Sequence, residues 1–327
     1  MNPLVKHPSR IGIAMIGLVP DNAHPYSWSA AINGFDRDEM ANCPEPVVFE
    51  YLSAEPPENI GISGARVTHI WGANADSARH VAKAALIPNV LSRPEDAIGE
   101  VDAVIIPTDI GSEHLEMARP FIEAGLPIFI DKPLTDREDH LEQFINWHVQ
   151  DAHIQSGSVL RFAAEFVECR ERMPDLGVLR LVTMTMVRSW ERYGIHAAEA
   201  VYPFLRPGGW ISVANMGTGL ANIVHVRHED GIDVVLALID DLGGSAGCLG
   251  LYGVNGSINL KFADRYSAVK AQLSSFVAYL RTGIPSVPFS ETIEIVKIII
   301  GGSRSRAENG RVVMLSEIGN TGVVEHV

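Results

Sequence analysis

The chain has 327 residues, 46% of them hydrophobic, and a formal net charge of −14 with a sequence pI of about 5.3. That length suits two domains with ordinary cores, and the acidic balance argues against a nucleic-acid footprint or electrostatic attachment to an anionic membrane. Cys43, Cys169 and Cys248 are widely spaced and odd in number, and Met1 to Arg10 has no apolar signal core, so a reducing, cytoplasmic setting is expected, with no disulfide framework.

The first half alternates strand and helix. Ile11 to Val19 is an apolar run that predicts a strand, and Ser27 to Asn33 predicts a helix. The stretch Asp36 to Arg66, rich in Pro, Glu and Asn, reads as an irregular insertion. Strands are then predicted over Val67 to Gly72, Val101 to Pro107, Ile128 to Asp131 and His153 to Val159. Helices over Asp76 to Ala85, Glu113 to Ala124 and Arg137 to Val149 separate them. Repeated βα units imply a doubly wound α/β domain on a parallel sheet.

The second half reads differently. Val178 to Ser189, Asp233 to Ile239, Ala246 to Tyr252 and Ser257 to Phe262 are short strands punctuated by Gly and Asn, which predicts an open, mostly antiparallel sheet. Val269 to Arg281 and Glu291 to Ala307 are helices. The apolar-rich run Ile293 to Ile300 is broken by Glu294 and Lys297 and is too short to span a bilayer. The domain change is placed at Leu160 to Arg161, giving domains over 1–160 and 161–327.

One short segment points to chemistry. Gly125 to Thr135 reads as a buried strand, Ile128 to Ile130, running into Asp131-Lys132-Pro133-Leu134. Pro133 disfavours helix at Lys132, so the lysine sits extended at the carboxyl edge of the sheet, where open α/β sheets bind ligands. A lysine there can hydrogen-bond a ribose hydroxyl and a substrate hydroxyl together. A lone Lys-Pro would read as a surface turn; its neighbours shift the weighting.

Six segments in register carry a resemblance to a known family. They are Val104-Ile-Ile-Pro-Thr-Asp-Ile-Gly-Ser-Glu-His114, then Phe121-Ile-Glu-Ala-Gly125 with Ile130-Asp-Lys-Pro133, then Arg161-Phe162. Gly194-Ile-His-Ala-Ala-Glu199, Gly253-Val-Asn-Gly-Ser-Ile258 and Ser305-Arg-Ala-Glu-Asn-Gly-Arg-Val-Val313 complete the set. Together they are similar to the glucose–fructose oxidoreductase and inositol dehydrogenase (Gfo/Idh/MocA) family of NAD(P)-dependent oxidoreductases. The resemblance implies a Rossmann-like dinucleotide-binding domain followed by an α+β substrate-binding and oligomerisation domain. It implies NAD or NADP as cofactor, a polyol, sugar or sugar acid as substrate, and a homo-oligomer, dimer or tetramer. It implies Lys132 and His196 as the catalytic pair, with Arg161 at the substrate; Arg192 and Tyr193, at a position that departs from the family, are also read at the substrate. Gly17, Asn22, His24, Asn74, Pro107, Thr108, His114, Asp131 and Lys132 fall on its cofactor side. His196 suits proton transfer because imidazole titrates near neutrality, and Lys132 can stabilise an alkoxide by its charge.

Three departures from the family pattern stand out. Gly17-Leu-Val-Pro-Asp-Asn-Ala-His-Pro-Tyr-Ser-Trp28 keeps one glycine where the family has a glycine-rich phosphate loop, and Pro20 and Pro25 each lack a backbone donor. That loop is remodelled to present Asn22, His24, Ser27 or a helix N-terminus to phosphate, or binds it weakly, or binds none. At the end of the second strand Asn74 stands where an acidic residue would hold the ribose, with Arg79 nearby, so NAD and NADP both remain open. Arg192 occupies the place, one turn before His196, where the family commonly has Asp. A cation there disfavours imidazolium and attracts an anionic substrate, with Tyr193 as an alternative proton donor; otherwise it faces solvent. Glu199 orients His196 or makes a surface helix pair. His196 and Glu199 have no third ligand at a recognisable spacing, so no metal is expected. Two readings stand: a nicotinamide-dependent dehydrogenase, or a non-catalytic ligand-binding protein on the same fold.

Overall fold

A computed structural model describes residues 2–243 and 247–319. The chain divides into two compact units. The first gathers 1–132, 147–156 and 265–288, and the second 133–146, 157–264 and 289–327. A single passage near Leu160 is the sequence expectation; the segment 265–288 instead returns to the first unit.

The first unit is built on strands β1 (Ile11–Ile16), β2 (Ala65–Trp71), β3 (Asn89–Val90), β4 (Ala103–Ile106), β5 (Ile128–Ile130) and β6 (Ile154–Ser156). All pair in parallel, in the order β3-β2-β1-β4-β5-β6. The order reverses between β1 and β4, the switch point at which open α/β sheets bind ligands. Every residue of β4, β5 and β6 is buried, as expected for strands covered on both faces. Helix α1 (His24–Asn33) is buried from Pro25 to Ile32. Its Trp28 ring packs edge-on to Phe129 at 5.5 Å, and Phe129 packs on Phe276 at 5.5 Å.

The stretch 36–66, expected to be irregular, holds two helices, α2 (Arg37–Met40) and α3 (Pro46–Ala54). The residues that read as loop are helix-start signals. Asp36 caps α2 by accepting the Glu39 N–H at 3.0 Å, and Pro46 opens α3, which buries Val48 and Leu52 at i, i+4. Helices α4 (Ala75–Ala84), α5 (His114–Glu123) and α6 (Glu138–Val149) follow as predicted, within two residues at each end.

The second unit contains α7 (Ala164–Cys169), β7 (Leu179–Val187), α8 (Trp190–Val201), β8 (Trp210–Asn215) and β9 (Ala221–His228). It continues with β10 (Asp233–Ile239), β11 (Cys248–Gly253) and β12 (Gly256–Lys261). After α9 (Arg265–Thr282), which belongs to the first unit, come α10 (Phe289–Ala307) and β13 (Val313–Met314). The sheet order is β12-β11-β7-β10-β9-β8-β13, antiparallel throughout except for the parallel β7–β10 pair. Ala246, expected to open a strand, lies outside the described residues. Strands β8 and β9 carry no strand assignment in the sequence reading. The inward positions of β9 are Asn222, Val224, Val226 and His228, so polar residues at both ends hide its period of two. Asn222 accepts from Asn215 and His228 bonds the Arg206 carbonyl, which makes their burial tolerable.

Helix α8 is seated on α10 through one aromatic residue. Trp190 is fully buried and its Nε1–H donates to the Ile299 carbonyl at 3.0 Å. Gly194 and Gly302 face the indole so closely that a Cβ would come within 2.7 Å and 2.5 Å of ring atoms. This packing fixes the helix that carries His196. No helix among the described residues is long and apolar enough to cross a membrane.

Candidate active site

In the first unit, the polar residues of the carboxyl edge of β1, β4 and β5 are joined by hydrogen bonds. Lys132 follows β5 and is 4% exposed; its Nζ lies 3.7 Å from the Asp109 carboxylate, which gives the buried ammonium a counter-charge. Asp131, 1% exposed, accepts the Lys132 backbone N–H at 2.7 Å and the His24 Nδ1–H at 2.7 Å. The His24 ring lies flat on Trp28, with centroids 4.7 Å apart. Asp131 therefore fixes both the backbone at Lys132 and the ring of His24.

The loop after β1 is tied to the loop after β4. Asn22 Nδ2 donates to the Pro107 carbonyl at 2.9 Å and to Asp109 at 3.2 Å, while its Oδ1 accepts the His24 N–H at 2.8 Å. Buried His114 donates through Nε2 to the Thr108 carbonyl at 2.8 Å. Gly17 has φ +116°, and a Cβ there would meet Thr108 Cγ2 at 2.7 Å and Met117 Cε at 2.8 Å. Glycine at 17 thus serves the packing of Thr108 and Met117 as well as the turn. Asn74 does not stand free: its side chain caps α4 by accepting the Ser77 N–H at 3.0 Å, and Arg79 pairs with Asp76 on the exposed face.

These residues fit one end of a dinucleotide and depart at the other. A buried lysine at the carboxyl edge, beside the switch in strand order, suits a nicotinamide ribose and the reacting substrate. The diphosphate end lacks the glycine turn, and Asn22 uses both ends of its amide within the protein. The carboxylates of Asp109 and Asp131 share this edge with Lys132 and His24.

The second unit carries the other half of the expected set. His196 lies on α8, half-buried, with Nδ1 2.5 Å from Ser158 Oγ. The Tyr193 ring meets the imidazole edge-on at 5.1 Å and lies under the Arg188 guanidinium at 5.3 Å. Arg192 is exposed on the first turn of α8.

Arg161 and Glu199 differ from expectation. Glu199 makes no surface helix pair: it is 1% exposed and forms an ion pair with Arg161. Arg161 also reaches Glu291 at 2.6 Å and lies over the Tyr202 ring at 5.0 Å, so two carboxylates occupy the guanidinium expected at the substrate. The phenol of Tyr202 donates to Glu294, and burial pushes it well above the ordinary tyrosine range. Ser158, Asp109 and Glu291 carry no role in the sequence reading. Asp109 lies inside the motif segment Val104 to His114, which was the available signal for it; Ser158 and Glu291 had none. Among the described residues no group of three or more His, Cys, Asp or Glu could hold a metal ion.

Comparison with known proteins agrees with this architecture. Residues 53–151 match the model of an oxidoreductase family with an NAD-binding Rossmann fold. The match begins past β1 and its altered loop. An inositol 2-dehydrogenase of Corynebacterium glutamicum is 37% identical over 113 residues, 33% of this chain and 33% of that protein. The aligned segment thus spans about a third of that relative's length. Among solved structures, apo scyllo-inositol dehydrogenase from Lactobacillus casei superposes with a TM-score of 0.73 at 13% identity, covering 95% of this chain and 99% of that one. Levoglucosan dehydrogenase in complex with NADH and levoglucosan gives a TM-score of 0.71 at 16% identity, covering 94% and 99%. The cofactor class this family match assigns is the nicotinamide dinucleotide. The chain resembles the glucose–fructose oxidoreductase and inositol dehydrogenase family, and residues 53–151 match its NAD-binding Rossmann fold.

Proposed function

We propose that the protein is an NAD(P)-dependent dehydrogenase acting on a CH–OH group of a polyol, sugar or sugar acid. The observation that carries this reading is Lys132, a buried lysine delivered by β5 to the carboxyl edge of a sheet in the order 3-2-1-4-5-6. The inositol and levoglucosan dehydrogenases among its relatives support the substrate class.

When bound, the nicotinamide supplies the hydride exchange. The protein's own residues do the rest. Lys132 hydrogen-bonds the substrate hydroxyl and stabilises negative charge on its oxygen, in a dry setting where a fixed charge acts strongly. Asp131 holds the lysine backbone, and Asp109 balances its charge in the resting protein. On the second unit, His196 is the group suited to proton transfer, with Tyr193 packed beside it. Arg192 gives the substrate end of α8 a positive charge that favours a carboxylate-bearing substrate. Arg161 acts through Glu199, whose carboxylate it holds, and does not itself touch substrate.

A second reading rests on one observation. The loop after β1 has a single glycine and is tied by Asn22 to His24 and to the loop after β4, as in a ligand-binding protein that has given up the diphosphate site. Turnover separates the two. Incubation with NAD or NADP and a panel of inositols, aldoses and aldonic acids is expected to give nicotinamide reduction that Lys132→Ala abolishes. Ligand-induced stabilisation without turnover on any of them supports the second reading.

A further inference from the structure

We propose that Ser158 sets the tautomer of His196, so that the neutral imidazole carries its hydrogen on Nε2. The proposal deepens the assignment of His196 and rests on it for catalytic meaning. Ser158 is fully buried. Its Oγ lies 2.5 Å from His196 Nδ1 and 3.2 Å from the Leu160 backbone nitrogen. The Leu160 N–H can only donate, so it takes one lone pair of the hydroxyl oxygen. The hydroxyl hydrogen then requires an acceptor, because a buried donor left unpaired is costly. Nδ1 is the acceptor that the structure places within reach. A nitrogen that accepts cannot carry the hydrogen of a neutral ring, so Nε2 carries it.

The serine is itself held. Its backbone N–H favours the charged form of the buried Glu199 carboxylate, which Arg161 clamps from the other side. Gly157 permits this approach, since a Cβ there would lie 3.0 Å from Glu199 Oε1. The buried ion pair thus reaches the imidazole through the 157–158 backbone. Ser158, Glu199 and Arg161 are positioning residues, joined in one line that ends on Nδ1.

Neutral His196 then presents a hydrogen-bond donor, not an acceptor, at Nε2. It polarises a substrate oxygen as a donor. Nε2 takes up a proton only after its own hydrogen has left and Nδ1 has gained one, a change in which the Ser158 hydroxyl turns from donor to acceptor. The serine therefore orders the two proton positions of the ring.

Nitrogen-15 NMR of the full-length protein, labelled on histidine rings and recorded where the ring is neutral, tests this. The His196 resonances are identified by their loss in His196→Asn. The expected result is the Nε2–H tautomer in wild type and in Ser158→Thr, and a mixture of tautomers in Ser158→Ala. An Nδ1–H tautomer in wild type, or an unchanged tautomer in a folded Ser158→Ala, overturns the proposal. If Ser158→Ala does not fold, the wild-type and Ser158→Thr spectra decide alone. Undiminished turnover in His196→Asn would remove the catalytic role and leave the tautomer result standing.

Discussion

Lys132 and His196 reach their places by different routes, and only one route is visible in the chain. The lysine is placed locally. A three-residue buried strand ends, Asp131 accepts the next N–H, and Pro133 keeps the backbone extended. That is why Asp-Lys-Pro is legible in the sequence. The histidine ring is oriented by Ser158, 38 residues earlier, and Asn22 bonds a carbonyl 85 residues away. Contacts of that range leave no periodicity or spacing to read. Lys132→Ala is expected to lower turnover by roughly 10² or more, with little change in melting temperature because one partly solvated carboxylate is all it leaves behind. Steady-state kinetics with a thermal melt checks this; near-normal turnover contradicts it. Arg192 is exposed, so its effect on substrate charge is modest. Wild type is expected to favour an aldonic or uronic acid over its neutral counterpart by about tenfold in kcat/KM, equivalent to about 1.4 kcal/mol. Arg192→Ala should erase the preference, and equal rates on both substrates before and after the substitution sink the idea.

At the scale of elements, packing decides more than propensity. Helix α8 is positioned by Trp190 between Gly194 and Gly302. Replacing Gly302 with alanine gains about 1 kcal/mol of helix propensity but forces a Cβ within 2.5 Å of an indole ring that has no free end to move. Overpacking, about 1–3 kcal/mol, wins. The expected outcome is a melting temperature lower by a few degrees and reduced turnover, since α8 carries His196. A more stable, fully active Gly302→Ala contradicts the assignment of α8 to this contact. Helices α1 and α3 make a pH prediction. Burial pushes Tyr26 and Tyr51 up to about 12. The unfolded chain releases these protons near pH 10 and the folded chain holds them longer, so their stabilising contribution is complete below pH 10 and is lost as pH rises from 10 to 12. Melting temperature should fall over that window, less steeply in Tyr26→Phe. Ordinary titration of all tyrosines near pH 10 in the folded protein is the contrary result. Elements with plain periodicity, such as β10 and α4, were found to within a residue. The two-residue strands β3 and β13 are too short to carry a pattern, and β8 and β9 were hidden by buried polar positions that tertiary partners satisfy.

At the scale of the whole molecule, the two sheets follow from two kinds of sequence pattern. Continuous apolar runs gave the parallel sheet, and alternation gave the mixed one. The return of α9 to the first unit was not legible, because a helix does not announce which sheet it packs on. The outward positions of β9 and β10 include Ile223, Val235, Ala237 and Ile239, none of them fully buried. A face of that character is expected to be covered by a second copy of the chain, giving a dimer or tetramer by light scattering at micromolar concentration; a monomer counts against it. The first unit is expected to bind a nicotinamide dinucleotide at the edge carrying Lys132 despite the missing glycine loop. Titration of the purified protein with NADH and with NADPH, read by nicotinamide fluorescence, tests it most directly. A saturable enhancement is expected with at least one of them, weakened in Lys132→Ala. The absence of any saturable change with either would contradict it.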